Sequence, residues 1–567
     1  MKKDSIFIII PIILIIATAF AYSNSFKNDF VWDDRSFIIE SPYIHNLTHW
    51  KELFIRNVGY SKGARNNFYR PLYTLSNAIN YKMGNGTPFI FHVTNTLLHG
   101  MCAALVFILI SLISNKKEVA FSTAILFALH PIQTQAVTYI AGRADPMYLV
   151  FALTSMILLI RHLNKKSNVS YIFSVLLFIP ALLSKESAMI MPLLMLLYFY
   201  TIPQYTPEEK KKKIILLIPY FAILGLYILL RTTVLDFSKA AYATLALKDE
   251  VIGIRFLTSC KAIFMYLRFL FLPAGFHMET HLPYARSFDN PSTFLAFLGT
   301  IGLILFTLTM KKRNRSVFFG LSWFLLSLLP VLNVIYPVNA TIAVHWLYLP
   351  SIGILFALMT LLYDRLKENR ALFISIILII AFIFGVLTYN RNKNWKDEET
   401  LYNSILPYSQ TPRVYVNLGN IYARKNEFGK AAFYYKKALD IAPGQTEIYV
   451  NLGYIYNTLK EYDKAEKFLK IALRLTPRHA NAYYNLGVTY YNMRRYKEAH
   501  NVLYKAIELN PSHTFALNAL ADTYFNLGDP KKAVETLERS LKITPAQPDI
   551  ADKLERIKKI LELDKEG

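Results

Sequence analysis

Apolar residues run in long unbroken stretches through the first two-thirds of the chain, then recur in a shorter helical rhythm through the last third. Stretches long enough to cross a hydrocarbon layer of about 30 Å lie at 6–22, 89–114, 119–140, 146–160, 169–183, 187–200, 214–231, 292–310, 316–336, 345–363 and 372–390. They predict a polytopic, all-α membrane bundle of about eleven transmembrane helices. A further segment, 254–273, is interrupted by Arg255, Lys261 and Arg268. It predicts an interfacial or re-entrant amphipathic helix whose cations snorkel to the surface. The first stretch begins with Lys2 and Lys3 like a signal peptide, but more spans follow and no small-residue cleavage site is convincing, so a retained first helix is expected.

After Trp395 the pattern changes. "NLG" recurs at 417–419, 451–453 and 485–487 and is continued by "ALA" at 519–521; Ala431, Ala465, Ala499 and Ala533 keep the same interval, and Pro443, Pro477, Pro511 and Pro545 close each unit. Small residues where two helices touch, large apolar residues such as Leu418 and Tyr422 on the first helix and a closing Pro describe tetratricopeptide (TPR) helix pairs stacked as an α-solenoid. The expected organisation is a membrane domain at 1–391, a linker and half-repeat at 392–409, four repeats at 410–548, and a capping helix and tail at 549–567.

Charge fixes orientation. The chain carries a net +24, of which +18 falls in residues 1–391. These cations sit in short loops between apolar runs, which argues against nucleic acid as a partner and for positive-inside signals. With Lys2 and Lys3 cytoplasmic, eleven crossings put Lys116, Lys117, the 161–166 and 210–213 clusters, "KKRNR" at 311–315 and "DRLKENR" at 364–370 on the same side. The loop 23–88, the segments at 130–146, 184–187, 232–291 and 333–345, and everything after 391 then face outward. Cys102 and Cys260 lie in or beside apolar segments and indicate neither a metal site nor a disulfide.

Ionisable groups near membrane depth are costly and default to functional readings where they cluster. His92, Asn95 and His99 share one helix face and serve either to bond neighbouring helices or to build a site. Arg70, Arg143, Asp145, Lys185 and Glu186 all reach the outward mouth. Lys185 with Glu186, or Arg143 with Asp145, could simply pair with each other; alternatively, an Arg fork suits a phosphate. Outside the first helix stand Asp33 and Asp34. A carboxylate there can act as general base on an acceptor hydroxyl, its pKa raised by partial burial and a like-charged neighbour; the structural alternative makes Asp34 an N-cap for "RSFIIES". A paired-Asp site could hold a divalent cation, but no metal is predicted. Asn417, Asn451 and Asn485 recur at one position of the first TPR helices and form an incomplete amide ladder, with Ala519 at the fourth position. Such a ladder can bond an extended peptide backbone or simply solvate a groove.

Asp-Asp after the first helix, "YRPL" 69–72, "FHVTNTLLH" 91–99, "LFALHPIQTQAVTYIAGRAD" 126–145, "LLSKES" 182–187, "LLPVLNVIYPV" 328–338 and "LYLPS" 347–351, followed by TPRs, resemble the transmembrane and TPR repeat-containing O-mannosyltransferases. That resemblance implies a GT-C glycosyltransferase fold, a polyprenyl- or dolichyl-phosphate sugar donor, and inverting transfer to Ser or Thr hydroxyls of a protein acceptor held by the TPRs. It makes Asp33 the base with Asp34 in support. Arg143 would hold the donor phosphate, aided by Arg70, Lys185 or His345, with His92, Asn95, His99, His130, Asp145 and Glu186 as supporting polar groups. The chain departs from the family pattern at Val344, His345 and Trp346, where Glu-Arg is expected. The length of the array favours a bacterial inner membrane with an outward face in the periplasm, or an ER membrane and lumen in a eukaryote. A non-catalytic TPR scaffold for envelope assembly and an O-antigen ligase-like oligosaccharide transferase are the alternatives.

Overall fold

The computed structural model describes residues 5–45, 47–55, 58, 68–203, 205–233 and 247–566. Parts of the outward segments expected at 23–88 and 232–291 lie outside these residues. The chain divides into two compact units, 1–404 and 405–567. Both are helical, with no strand among the described residues.

Among the described residues of the first unit, six helices are long and apolar enough to cross a membrane: Ile6–Lys27, Phe89–Ser114, Ile140–Lys165, Pro207–Thr233, Pro291–Arg313 and Arg370–Trp395. The other expected spans are shorter helices. The stretch 119–140 is not one helix. Its helical part, Lys117–Leu129, stops at an extended His130, because Pro131 disfavours helical backbone in the residue before it and lacks an N–H; short turns continue to Arg143. Likewise 316–336 is helical only over Arg315–Leu328, and 345–363 becomes an α-helix, Pro350–Leu366, only from Pro350. These two helices cross where Gly320 meets Gly353; a Cβ on either would lie 2.5–2.6 Å from the other's carbonyl oxygen. Small residues at such a crossing let two backbones approach without a driving force from water.

Loops expected on one side do come together. Among the loops expected to be cytoplasmic, Lys116 pairs with Asp364 at 2.5 Å, Asn314 bonds the same carboxylate and Arg370 lies 3.5 Å from Glu118. The Ile252–Phe271 helix meets segments expected to face outward at both of its ends. Arg255 near its start donates to the carbonyls of Asn333 and Val334, and the Leu270 carbonyl at its end meets His130 Nε2.

The second unit contains four helix pairs, Pro412–Arg424 with Phe428–Ile441, Thr446–Thr458 with Tyr462–Leu475, Ala480–Asn492 with Tyr496–Leu509 and Thr514–Asn526 with Pro530–Ile543, closed by Pro548–Glu566. The repeated glycine is the contact point within a pair: at Gly453 and Gly487 a Cβ would come within 2.4 Å of Leu469 and Leu503.

Candidate active site

Trp32 sits at φ +57°, a left-handed conformation uncommon for a large side chain. It is held by stacking on Tyr402 with ring centroids 5.3 Å apart. Beyond it the two acids part company. Asp33 is exposed, and its backbone carbonyl accepts from Phe37 N and Ser36 Oγ. Asp34 is fully buried; its Oδ2 accepts from Val31 N at 3.0 Å and its Oδ1 from Ala141 N at 2.7 Å. Burial pushes the Asp34 carboxyl well above the usual carboxylate range, against the pull of those two N–H groups. It makes no N-cap bond to the turn that follows. Instead it clips the acid loop to the turn before Arg143.

Arg143 is fully buried. It does not pair with Asp145: its Nε donates to Asn95 Oδ1 at 2.7 Å, one terminal nitrogen to the Phe91 carbonyl at 3.1 Å and the other to Ser76 Oγ at 3.3 Å. The Asn95 amide in turn bonds the carbonyls of Val137, Tyr139 and Ile140. Asn95 and Arg143 together therefore shape the loop that receives Asp34.

The remaining charges pair across elements, not within "SKES". Arg70 grips Glu186 bidentately, at 2.9 and 2.5 Å, and Lys185 meets Asp145 at 2.7 Å. The Arg70 and Glu186 side chains keep 13% and 28% of their surface, whereas Lys185 and Asp145 keep 6% and 5%. A small cleft beside this pair of bridges is lined by Asp145, Tyr148, Ser187, Ser327, His345 and Trp346. Tyr73 stands beside Asp34, Arg143 and Arg70 and links the acid loop to the bridges.

Three of the predicted supporting residues bond helices and turns to one another. His92 Nε2 meets the Asn28 carbonyl, His99 joins Tyr348 Oη and the Ala128 carbonyl, and His130 accepts from Ile132 N. On the second unit, Asn417, Asn451 and Asn485 occupy equivalent half-buried positions.

Sequence reasoning missed the segment that closes the site. Asn392 is fully buried. Its amide donates to the Ala21 carbonyl and Asn24 Oδ1, both at 2.9 Å, and its Oδ1 accepts from Thr138 at 2.7 Å. Lys396 O accepts from Asp29 N, and Trp395 stacks on Tyr139 at 5.4 Å. The end of the last long helix is thus tied to the acid loop. The signal was present in "NRNKNWKD", a polar run straight after an apolar helix, where three Asn and a Trp are more than a linker needs.

Comparison with known proteins adds the following. A protein O-mannosyl-transferase of Caenorhabditis elegans is 27% identical over 448 residues, covering 76% of this chain and 62% of its own length. The chain is similar in sequence to the protein O-mannosyl-transferases. TMTC3 of Mus musculus, another of that name, is 25% identical over 476 residues, 76% of this chain and 51% of its own. The chain thus spans about half to three-fifths of the length of these relatives. Residues 388–565 match the family model of the cilia and flagella-associated protein 70 C-terminal domain. Among solved structures, MamA is 27% identical with a TM-score of 0.25, over 28% of this chain and 86% of that one.

Proposed function

We propose that the chain is an integral membrane glycosyltransferase that moves a sugar, mannose by its relatives' name, from a polyprenyl-phosphate donor to Ser or Thr hydroxyls of a protein acceptor held by the TPR unit. The observation that carries this reading is the pairing of an exposed Asp33 with a buried Asp34 that fixes its loop, on the face that also bears Arg70, Lys185 and the His345 cleft. Asp33 takes the acceptor proton, the freed oxygen attacks the anomeric carbon with inversion, and the lipid phosphate leaves with the electrons of the broken bond. The leaving phosphate needs a cation. Arg143, enclosed by its own partners, acts from behind by shaping the loop. Arg70 is the cation a phosphate reaches, by displacing Glu186 from its fork, with Lys185 and His345 behind it. The reaction face is outward, in a periplasm or an ER lumen.

The test compares glycopeptide masses from cells producing wild type or Asp33→Asn. Loss of the hexose increment at all sites, with the membrane protein still produced at wild-type level, supports the reading; identical masses at every site overturn it.

A further inference from the structure

The four first helices of the solenoid differ from the four second helices in a way that bears on what the array holds. First helices of neighbouring repeats touch. Asn492 Nδ2 donates to Asn457 Oδ1 at 3.1 Å and Asn526 Nδ2 to Tyr491 Oη at 3.0 Å; first helices pack on one another more closely than second helices do. They therefore line the shorter, concave side. Arg413, Arg424, Glu447 and Asp522 are the four charged side chains they carry between them. The second helices carry twenty. Beside those few charges, the concave side has Asn and aromatic residues. Tyr454, Tyr484 and Phe515 come from three successive repeats, Tyr484 and Phe515 with ring centroids 6.5 Å apart and Tyr454 close to Tyr484. Tyr454 is 50% and Phe515 68% exposed. Large apolar rings left in water on one face of a helical array mark a contact surface.

Resting on the glycosyltransferase reading above, we infer that this diagonal of rings is the docking surface for an uncharged, extended stretch of the acceptor polypeptide, rich in Ser, Thr and Pro. Aromatic faces pack against the flat sides of an extended chain of polyproline type. Side-chain amides both donate and accept, so Asn457, Asn492 and Asn526 can meet backbone N–H and C=O without a charge on either partner. A groove so sparse in charge discriminates by desolvation: a charged side chain laid on the rings would lose water with little Coulombic return. The Ser or Thr hydroxyl that the proposed reaction modifies is itself uncharged, so a neutral segment suits both the groove and the reaction.

The test uses the full-length protein in lipid nanodiscs and fluorescent peptides of equal length: a neutral Ser/Thr/Pro peptide and versions with interspersed Asp or Lys. Binding is read by anisotropy at low and high salt. Tighter binding of the neutral peptide by about tenfold or more, with less than about a twofold change on adding salt, supports the inference; screening would weaken a charge-driven complex far more. Tyr454→Ser and Phe515→Ser, at exposed positions that do not hold the fold, should each weaken it about tenfold. Preferred binding of either charged peptide, or unchanged binding in both variants, overturns it. The transferase reading fails separately: neutral peptide bound as described but never glycosylated by membranes supplied with polyprenyl-phosphate sugar leaves the groove standing and removes the reaction.

Discussion

A carboxylate that takes a proton from a hydroxyl must meet solvent and acceptor, while one that holds a loop must not. In the proposed reaction Asp33 and Asp34 divide these tasks, one exposed and one buried between Val31 N and Ala141 N. The division has a pH consequence. Because the folded Asp34 pKa is raised above its value in the unfolded chain, the folded protein holds this proton more tightly. The stability it contributes is present below the unfolded carboxylate value, about 3.9, and is lost as pH rises towards the folded value. Asp34→Asn keeps one acceptor and has no proton to lose. It should cost about 1–3 kcal/mol at acid pH for the N–H left without an acceptor, and its deficit should shrink as pH rises from about 4 to about 7. Thermal unfolding in detergent across that range, wild type beside variant, reads the difference; a deficit that grows with pH contradicts the assignment. Which acid of the pair would be buried was not legible in the sequence, since adjacency alone does not fix which side chain turns inward. Nor was the partner of Arg143. Sequence proximity offered Asp145, but that carboxylate is taken by Lys185, forty residues further on.

Among the elements, the long helices were legible because an unbroken apolar run leaves few other solutions in a membrane. Their ends were less so. Apolar composition continued through 130–140, and only Pro131 signalled that the helix stops; hydropathy does not register a missing N–H. The least legible element is the 391–402 segment, whose role depends on contacts with residues more than 250 positions away. Asn392→Ala removes two donated bonds and the acceptor for Thr138, leaving buried polar groups behind. It should cost about 3 kcal/mol. Tyr402→Ala releases the stack on Trp32 and empties a buried position; it should cost about 3 kcal/mol and also lower glycopeptide yield per folded protein several-fold, because Asp33 loses the support of its strained neighbour. Melting curves and glycopeptide mass spectra on both variants check this. If Tyr402→Ala glycosylates at the wild-type level per folded protein, the stack does not position the acid loop.

At the scale of the whole molecule the repeat array was readable, since a recurrence every 34 positions fixes register and helix pairing together. The membrane unit offers a different kind of regularity. Its loops sort into two sets that bond only among themselves in the contacts described above: Lys116, Asn314, Asp364 and Arg370 on one side, and the acid loop, Arg70, Lys185 and the 391–402 segment on the other. The positive-inside rule predicts that the first set is cytoplasmic. Single cysteines should resolve this cleanly, because Cys102 and Cys260 are buried at 0% and 1% exposure and give little background. With a membrane-impermeant maleimide on sealed spheroplasts, Lys27→Cys and Lys396→Cys should label without detergent, and Arg313→Cys only after it. All three positions are exposed. Lys27 and Lys396 flank the bond between Asp29 N and the Lys396 carbonyl, so protection of one and labelling of the other would mean that the acid loop and the end of the last helix do not share a face, and the proposed base could not meet an acceptor delivered through the segment that follows it.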